Sequence, residues 1–226
     1  MASKLEGLDR QLTWADFGKP RAGSPPAPGK TATAAFTDVS ISASSISFPP
    51  LPGSKPFRFQ LSDTVTVRIV FNPAKSFVMA WAFSGSTTGS PDDLLKHEQG
   101  HYSIAALIAR DFFVDLLLLK TKIYLSQTDA LKEVTQIRKS TLDKVQKVND
   151  LYDTETQNGQ IAAAQKQWND FFDTAFLQKR LLLPFRCEVA DWFAPPDPNK
   201  APLLGPDGEP LKKRLLDVLN DAGKKI

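Results

Sequence analysis

The chain has 226 residues, 42% of them hydrophobic and 23% charged, with a formal net charge of +3. These are ordinary globular proportions and enough chain for one sizeable core. Dispersed basic residues argue against a nucleic-acid binder, a single cysteine (Cys187) rules out an intramolecular disulfide, and no apolar run of about eighteen residues offers a membrane span.

The opening segment MASKLEGLDRQLTWADFG has no apolar core of signal-peptide length. On that ground the expectation is a chain without an export address, cytoplasmic as it stands. Residues 19–30, KPRAGSPPAPGK, read as a surface loop rich in proline, glycine and serine. Three stretches then favour strands: 31–48, 56–72 and 76–83, rich in Thr, Val, Ile, Phe and Ser. Val65, Val67, Ile69 and Phe71 alternate with period two, and NPAK at 72–75 suits a hairpin turn. The expectation is a small antiparallel sheet of three to five strands.

Ser90-Pro91-Asp92-Asp93 is a helix start, with a hydroxyl N-cap, proline at the first position and acids in the first turn. Leu94, Ile104, Ala105, Ile108 and Phe112 follow with helical spacing, predicting a helix to about residue 120. A second helix is predicted over about 128–151, burying Leu131, Val134, Leu142, Val145, Val148 and Leu151. DLYDTETQNGQ interrupts or ends it, with Asn158-Gly159 as the stop. A third, IAAAQKQWNDFFDTAFLQKRLL, carries Ala164, Trp168, Phe171, Ala175 and Phe176 on one stripe. The pattern is an α+β fold, a small sheet followed by a bundle of long helices. It forms one domain over 1–195 (β-rich 1–83, helical 90–193), with a proline-rich linker and a short charged helical tail at 196–226.

Both histidines of the chain lie in LLKHEQGHYSIAALIARDFF, four residues apart. On a helix, positions i and i+4 share a face with Cβ atoms about 5–6 Å apart, so His97 and His101 can converge on one Zn2+. Glu98 projects beside such an ion and suits a general base acting on a metal-activated water. Gly100 leaves bare surface for close approach of a metal, ligand or backbone.

A catalytic zinc site needs a third protein ligand. Here it has to be a carboxylate, Cys187 or a tyrosine. Asp111 and Asp115 lie two or more turns beyond His101 and read as solvent-facing or capping groups. LYDTETQNG is the better source: Asp153 is the first choice and Glu155 the second, in a segment free to be irregular. Tyr152 is a candidate donor to a tetrahedral oxyanion, or an ordinary half-buried core residue. Arg110 could orient Asp153 or Glu155, or be a plain surface arginine.

Four stretches, LTWADFGKP, LLKHEQGHYSIAALIAR, YDTETQNG and AQKQW, span about residues 12–170 in an order that resembles a bacterial domain family of unknown function. Its members are described as predicted secreted zinc-dependent proteases. The resemblance implies a minimal zincin, peptide-bond hydrolysis, a periplasmic or secreted location, and a site on His97, Glu98, His101 and the YDTETQNG segment. The family pattern has histidine where this chain has Asn158, so if that histidine is a ligand the site here is either rebuilt on Asp153 or Glu155, or weakened.

The leading expectation is therefore a zinc-dependent peptidase acting on a peptide or protein. Two others compete: a zinc-binding or metal-free interaction module on the same scaffold, docking through the loop 19–30 and the tail 194–226, and a toxin-like exported protease effector.

Overall fold

A computed structural model describes residues 3–27, 32–62, 64–84, 90–182 and 214–224, with side chains of the third helix described to residue 175. Five short strands precede the helices: β1 (Lys4–Glu6), β2 (Ala35–Phe36), β3 (Val39–Ser44), β4 (Thr66–Phe71) and β5 (Phe77–Val78). They make a three-stranded sheet in the order β1-β4-β3 and a two-stranded one of β2 and β5. The predicted α+β class holds. The sheet departs from the wholly antiparallel expectation, because β1 pairs with β4 in parallel, Leu5 opposite Val67. β3 and β4 are antiparallel, Ile41 opposite Ile69. NPAK is a turn, but it carries the chain to the second sheet, since β5 pairs with β2.

The alternation read in the sequence decides which face of β4 is buried. Val67, Ile69 and Phe71 face inward while Arg68 and Val70 face solvent. Glu6 and Arg68, opposite one another on β1 and β4, pair across the outer face at 2.5 Å.

The helices are α1 (Pro91–Leu118), α2 (Gln127–Thr156), α3 (Ala162–Leu182) and α4 (Leu215–Asp221). Ser90 caps α1 as expected, its hydroxyl accepting from the Asp93 amide. IAALIARDFFV is apolar nearly all round, which is the pattern of a helix buried on every side, and α1 runs through the middle of the molecule. Tyr102, Ala106, Ala109 and Phe113 pack toward the sheets. Ile104, Leu107 and Ile108 pack with Tyr152, Trp168 and Phe172 of α2 and α3.

That second core also holds Leu215, Val218 and Leu219 of α4. The C-terminal helix, expected as a charged tail, is seated in the bundle and tied by an Arg214–Asp115 pair at 2.7 Å. The proline-rich linker, Cys187 and Trp192-Phe193 lie outside the described residues. Three further expectations change. Leu131 and Leu142, assigned to the buried side of α2, are exposed. Asp111, expected in solvent, is buried beside Arg110, and burial pushes its carboxyl pKa up. Arg110 turns away from the YDTETQNG segment and donates to the Ala175 carbonyl at 2.8 Å. No helix among the described residues is long and apolar enough to cross a membrane.

Candidate metal centre

α1 presents His97 and His101 on one face, their rings edge to face with centroids 4.8 Å apart. α2 lies across that face and brings Asp153 to them. Its Oδ1 stands 3.1 Å from Nε2 of His97 and 3.1 Å from Nε2 of His101. The segment expected to be irregular is regular helix through Thr156, and a left-handed Gln157 (φ 48°) ends it. Regular helix decides between the two acids. Asp153 and Glu155 are two residues, about 200°, apart around the axis, so they cannot both face the histidines. Glu155 faces the other way, accepting from Trp168 Nε1 at 2.8 Å and from Lys224 Nζ at 2.7 and 2.8 Å. Among the described residues, only His97, His101 and Asp153 form a cluster able to hold a metal.

Where the hydrogens sit follows from two amides. Asn149 donates Nδ2–H to the Val145 carbonyl at 2.9 Å, which fixes its Oδ1 toward His101 Nδ1 at 2.7 Å. Gln165 donates Nε2–H to the Tyr152 hydroxyl at 2.7 Å and to Asn169 Oδ1 at 3.0 Å. Both its donors are used, so its Oε1 is the acceptor facing His97 Nδ1 at 3.3 Å. Each imidazole therefore carries a proton on Nδ1 and turns Nε2 toward Asp153, where it offers a lone pair once any proton on Nε2 has left. Oδ1 is itself buried and takes no hydrogen bond from a backbone amide or hydroxyl.

Three lone-pair atoms at this spacing repel unless something positive lies among them. A tetrahedral zinc with bonds of about 2.0–2.2 Å sets its ligand atoms about 3.3–3.5 Å apart, close to the 3.1 Å from Asp153 Oδ1 to each Nε2. The donors fit a borderline divalent cation.

In the metal-free protein a proton has to take that place. Burial works against the charged form of His101. Its bond to Asp153 and the charges of Glu98 and Asp153 outweigh this and push its pKa up to about 9. Burial acts against Asp153 ionisation too, but the two histidines hold its carboxyl well below the usual carboxylate range. The raised histidine stabilises the metal-free fold fully below about pH 6.5 and loses that effect as pH rises through about 9. The depressed carboxyl stabilises above about pH 3.8 and fails only in stronger acid. A metal must displace the histidine proton. Its apparent affinity should rise about tenfold per pH unit between about 6.5 and 9, then flatten. Chelator competition at fixed ionic strength measures this, and a flat profile over that range would remove His101 from the ligand set.

Glu98 is 2% exposed, and its Oε2 accepts from the Thr37 hydroxyl at 2.6 Å. Thr37 follows β2, in an extended segment, 32–39, that forms one wall of a cleft of about 470 Å3. α2 from Val145 to Asp153 forms the other wall, and the floor is α1 from Leu94 to Ala105, about 16 Å at helical rise. The Asp153 side chain, 39% exposed, marks the open side of the cluster.

Tyr152 does not face that cleft. It is fully buried, stacked on His97 at 4.7 Å and 15°, and its hydroxyl donates to the His97 carbonyl at 3.2 Å. The expected oxyanion donor is thus a support beneath the first histidine. Gly100 is explained by the same ring: a Cβ there would lie 2.5 Å from Tyr152 Cζ. The expected close approach of a metal, ligand or backbone is instead made by a side chain, the Tyr152 ring of α2.

Asn158 lines the cleft at φ 54°, in a left-handed turn with Gly159 at φ 82°. A Cβ on Gly159 would press on His97 Cβ at 2.9 Å. Sequence reasoning missed Thr37, Asn149 and Gln165; Gln165 lies in the AQKQW stretch, its only signal. Comparison with protein-family models, curated proteins and solved structures returns no match.

Proposed function

We propose that this chain is a zinc-dependent peptidase that hydrolyses peptide bonds. One observation carries the reading: Nε2 of His97 and Nε2 of His101 each lie 3.1 Å from Asp153 Oδ1, the three atoms lining a cleft with a buried glutamate beside them. When bound, zinc supplies a coordinated water of pKa about 7. The chain's own contribution is then Glu98. Thr37 fixes its carboxylate orientation, which suits it to take a proton from the attacking water and return it to the leaving amine nitrogen. The cleft floor spans about 16 Å, room for about five residues of extended peptide. The resemblance of HEQGHY and YDTETQNG to predicted proteases points the same way.

The test pairs metal content with turnover. Purified chain dialysed against zinc should hold one ion per molecule, and His97→Ala should hold none. The wild type should cleave a mixed-sequence quenched peptide library, lose that activity to a chelator and regain it with zinc. Stoichiometric zinc without cleavage would leave a metal-binding interaction module; no metal at neutral pH would remove the centre altogether.

A further inference from the structure

The AQKQW stretch has no part in the chemistry above, yet α3 places its first glutamine against the metal cluster. Histidines that hold metals donate their second nitrogen to a carboxylate, a backbone carbonyl or water, and that partner sets how basic the ring is. Here both partners are neutral side-chain amides from different helices, Gln165 behind His97 and Asn149 behind His101. Each is held in one orientation by its own N–H bonds, two from Gln165 and one from Asn149 to the Val145 carbonyl. Gln165 is buried, so water does not substitute for it.

A carboxylate at either place would have the same reach and a very different effect. It would draw the Nδ1 proton, raise electron density at Nε2 and make the metal a weaker Lewis acid. The site already contains two carboxylates, Asp153 and Glu98, which balance a divalent charge. Neutral partners keep that balance.

Resting on the ligand assignment above, we infer that Gln165 and Asn149 are positioning residues that fix the tautomers of His97 and His101 and keep the bound metal electrophilic. The AQKQW stretch thereby has a function: Gln165 orients a ligand, and Trp168, three residues on, holds Glu155 away from the site.

The experiment measures zinc affinity by chelator competition, the visible spectrum of the cobalt-loaded protein, and kcat for library peptides. Gln165→Met and Asn149→Leu remove the acceptors and should weaken zinc binding about 10–100-fold, the usual size for such partners. Gln165→Glu and Asn149→Asp should bind zinc more tightly than wild type, shift the cobalt absorption bands and lower kcat. Asn149→Asp recovering the affinity lost in Asn149→Leu separates positioning from packing, since a packing role gives no reason for a carboxylate to exceed the native amide. Carboxylate variants that match wild type in affinity and spectrum would overturn the inference while leaving the metal centre standing. Wild type that binds neither zinc nor cobalt would overturn both.

Discussion

Glu98→Gln should retain one zinc per chain and lose peptide cleavage by about 10^2–10^4-fold, the range for removing a positioned general base. The substitution is close to isosteric. The glutamine side-chain oxygen can still accept from Thr37, whose hydroxyl lies 2.6 Å from the native carboxylate. Burial is unchanged, and a 2%-exposed side chain that becomes neutral no longer carries the cost of a buried charge. That gain is offset by the lost support of its charge for the His101 imidazolium, so metal-free Glu98→Gln should unfold in urea close to wild type. It should also give up the His101 proton more readily, because Glu98 is one of the charges that raises that pKa. Metal content by mass spectrometry, unfolding midpoints and initial cleavage rates are the three measurements. Cleavage within tenfold of wild type, with metal present, would take the base role from Glu98.

Much of this centre was readable from residue types and spacing, and what was not has a common cause. Ser90-Pro91 and the i, i+4 histidines are local signals, and local signals survive without a fold. Asp153 was found in the right segment, but through the wrong conformation. Taken as free to be irregular, LYDTETQNG gave no geometric ground for preferring Asp153, the first choice, over Glu155. Continued helix separates them by their angle about the axis, and puts Asn149, Tyr152 and Asp153 on the face toward α1. The helical period was present in the sequence, masked by polar residues that look like a terminus. Leu131 and Leu142 failed for the opposite reason: apolar and well spaced, they are nonetheless 46% exposed.

Thr37, Asn149 and Gln165 could not be singled out. Each acts through one contact to a residue 48 to 68 positions away, and nothing in an isolated polar residue announces that. β1 fails similarly, since three residues are too few to show a period. Gln99 and Tyr102, inside the motif stretch, have a role of the same long-range kind. Gln99 Oε1 accepts from the Leu12 amide at 2.7 Å, and Tyr102 donates to the Gly7 carbonyl at 2.6 Å. The LTWADFG segment is thus held by the helix that carries the histidines. Of HEQGHY, two residues are the proposed metal ligands, one the proposed base, one makes room for Tyr152, and two anchor the N-terminal segment.

Gly100→Ala carries the largest expected effect on stability. On an exposed helix this change gains about 1 kcal/mol. Here the new methyl would stand 2.5 Å from Tyr152 Cζ and 2.9 Å from Cε1. The ring cannot swing aside. His97 lies stacked on it at 4.7 Å, Trp168 and Phe172 abut it at 5.2 and 5.9 Å, and Gln165 holds its hydroxyl at 2.7 Å. Overpacking a rigid core costs about 1–3 kcal/mol, and this geometry belongs at the upper end. The net expectation is a loss of about 2 kcal/mol, a fall in melting temperature of about 4–8 °C for a chain of this size. Zinc affinity should fall with it, because α2 must move off α1 and take Asp153 from the two histidines. The control reverses the sign. In a Tyr152→Ala background the methyl has space, and Gly100→Ala should stabilise by about 1 kcal/mol, the helix-propensity gain alone. Urea unfolding of the four metal-free proteins closes the cycle. A stabilising Gly100→Ala with Tyr152 in place would mean that the tyrosine does not lie across the glycine, and the route by which α2 delivers Asp153 would fall with it.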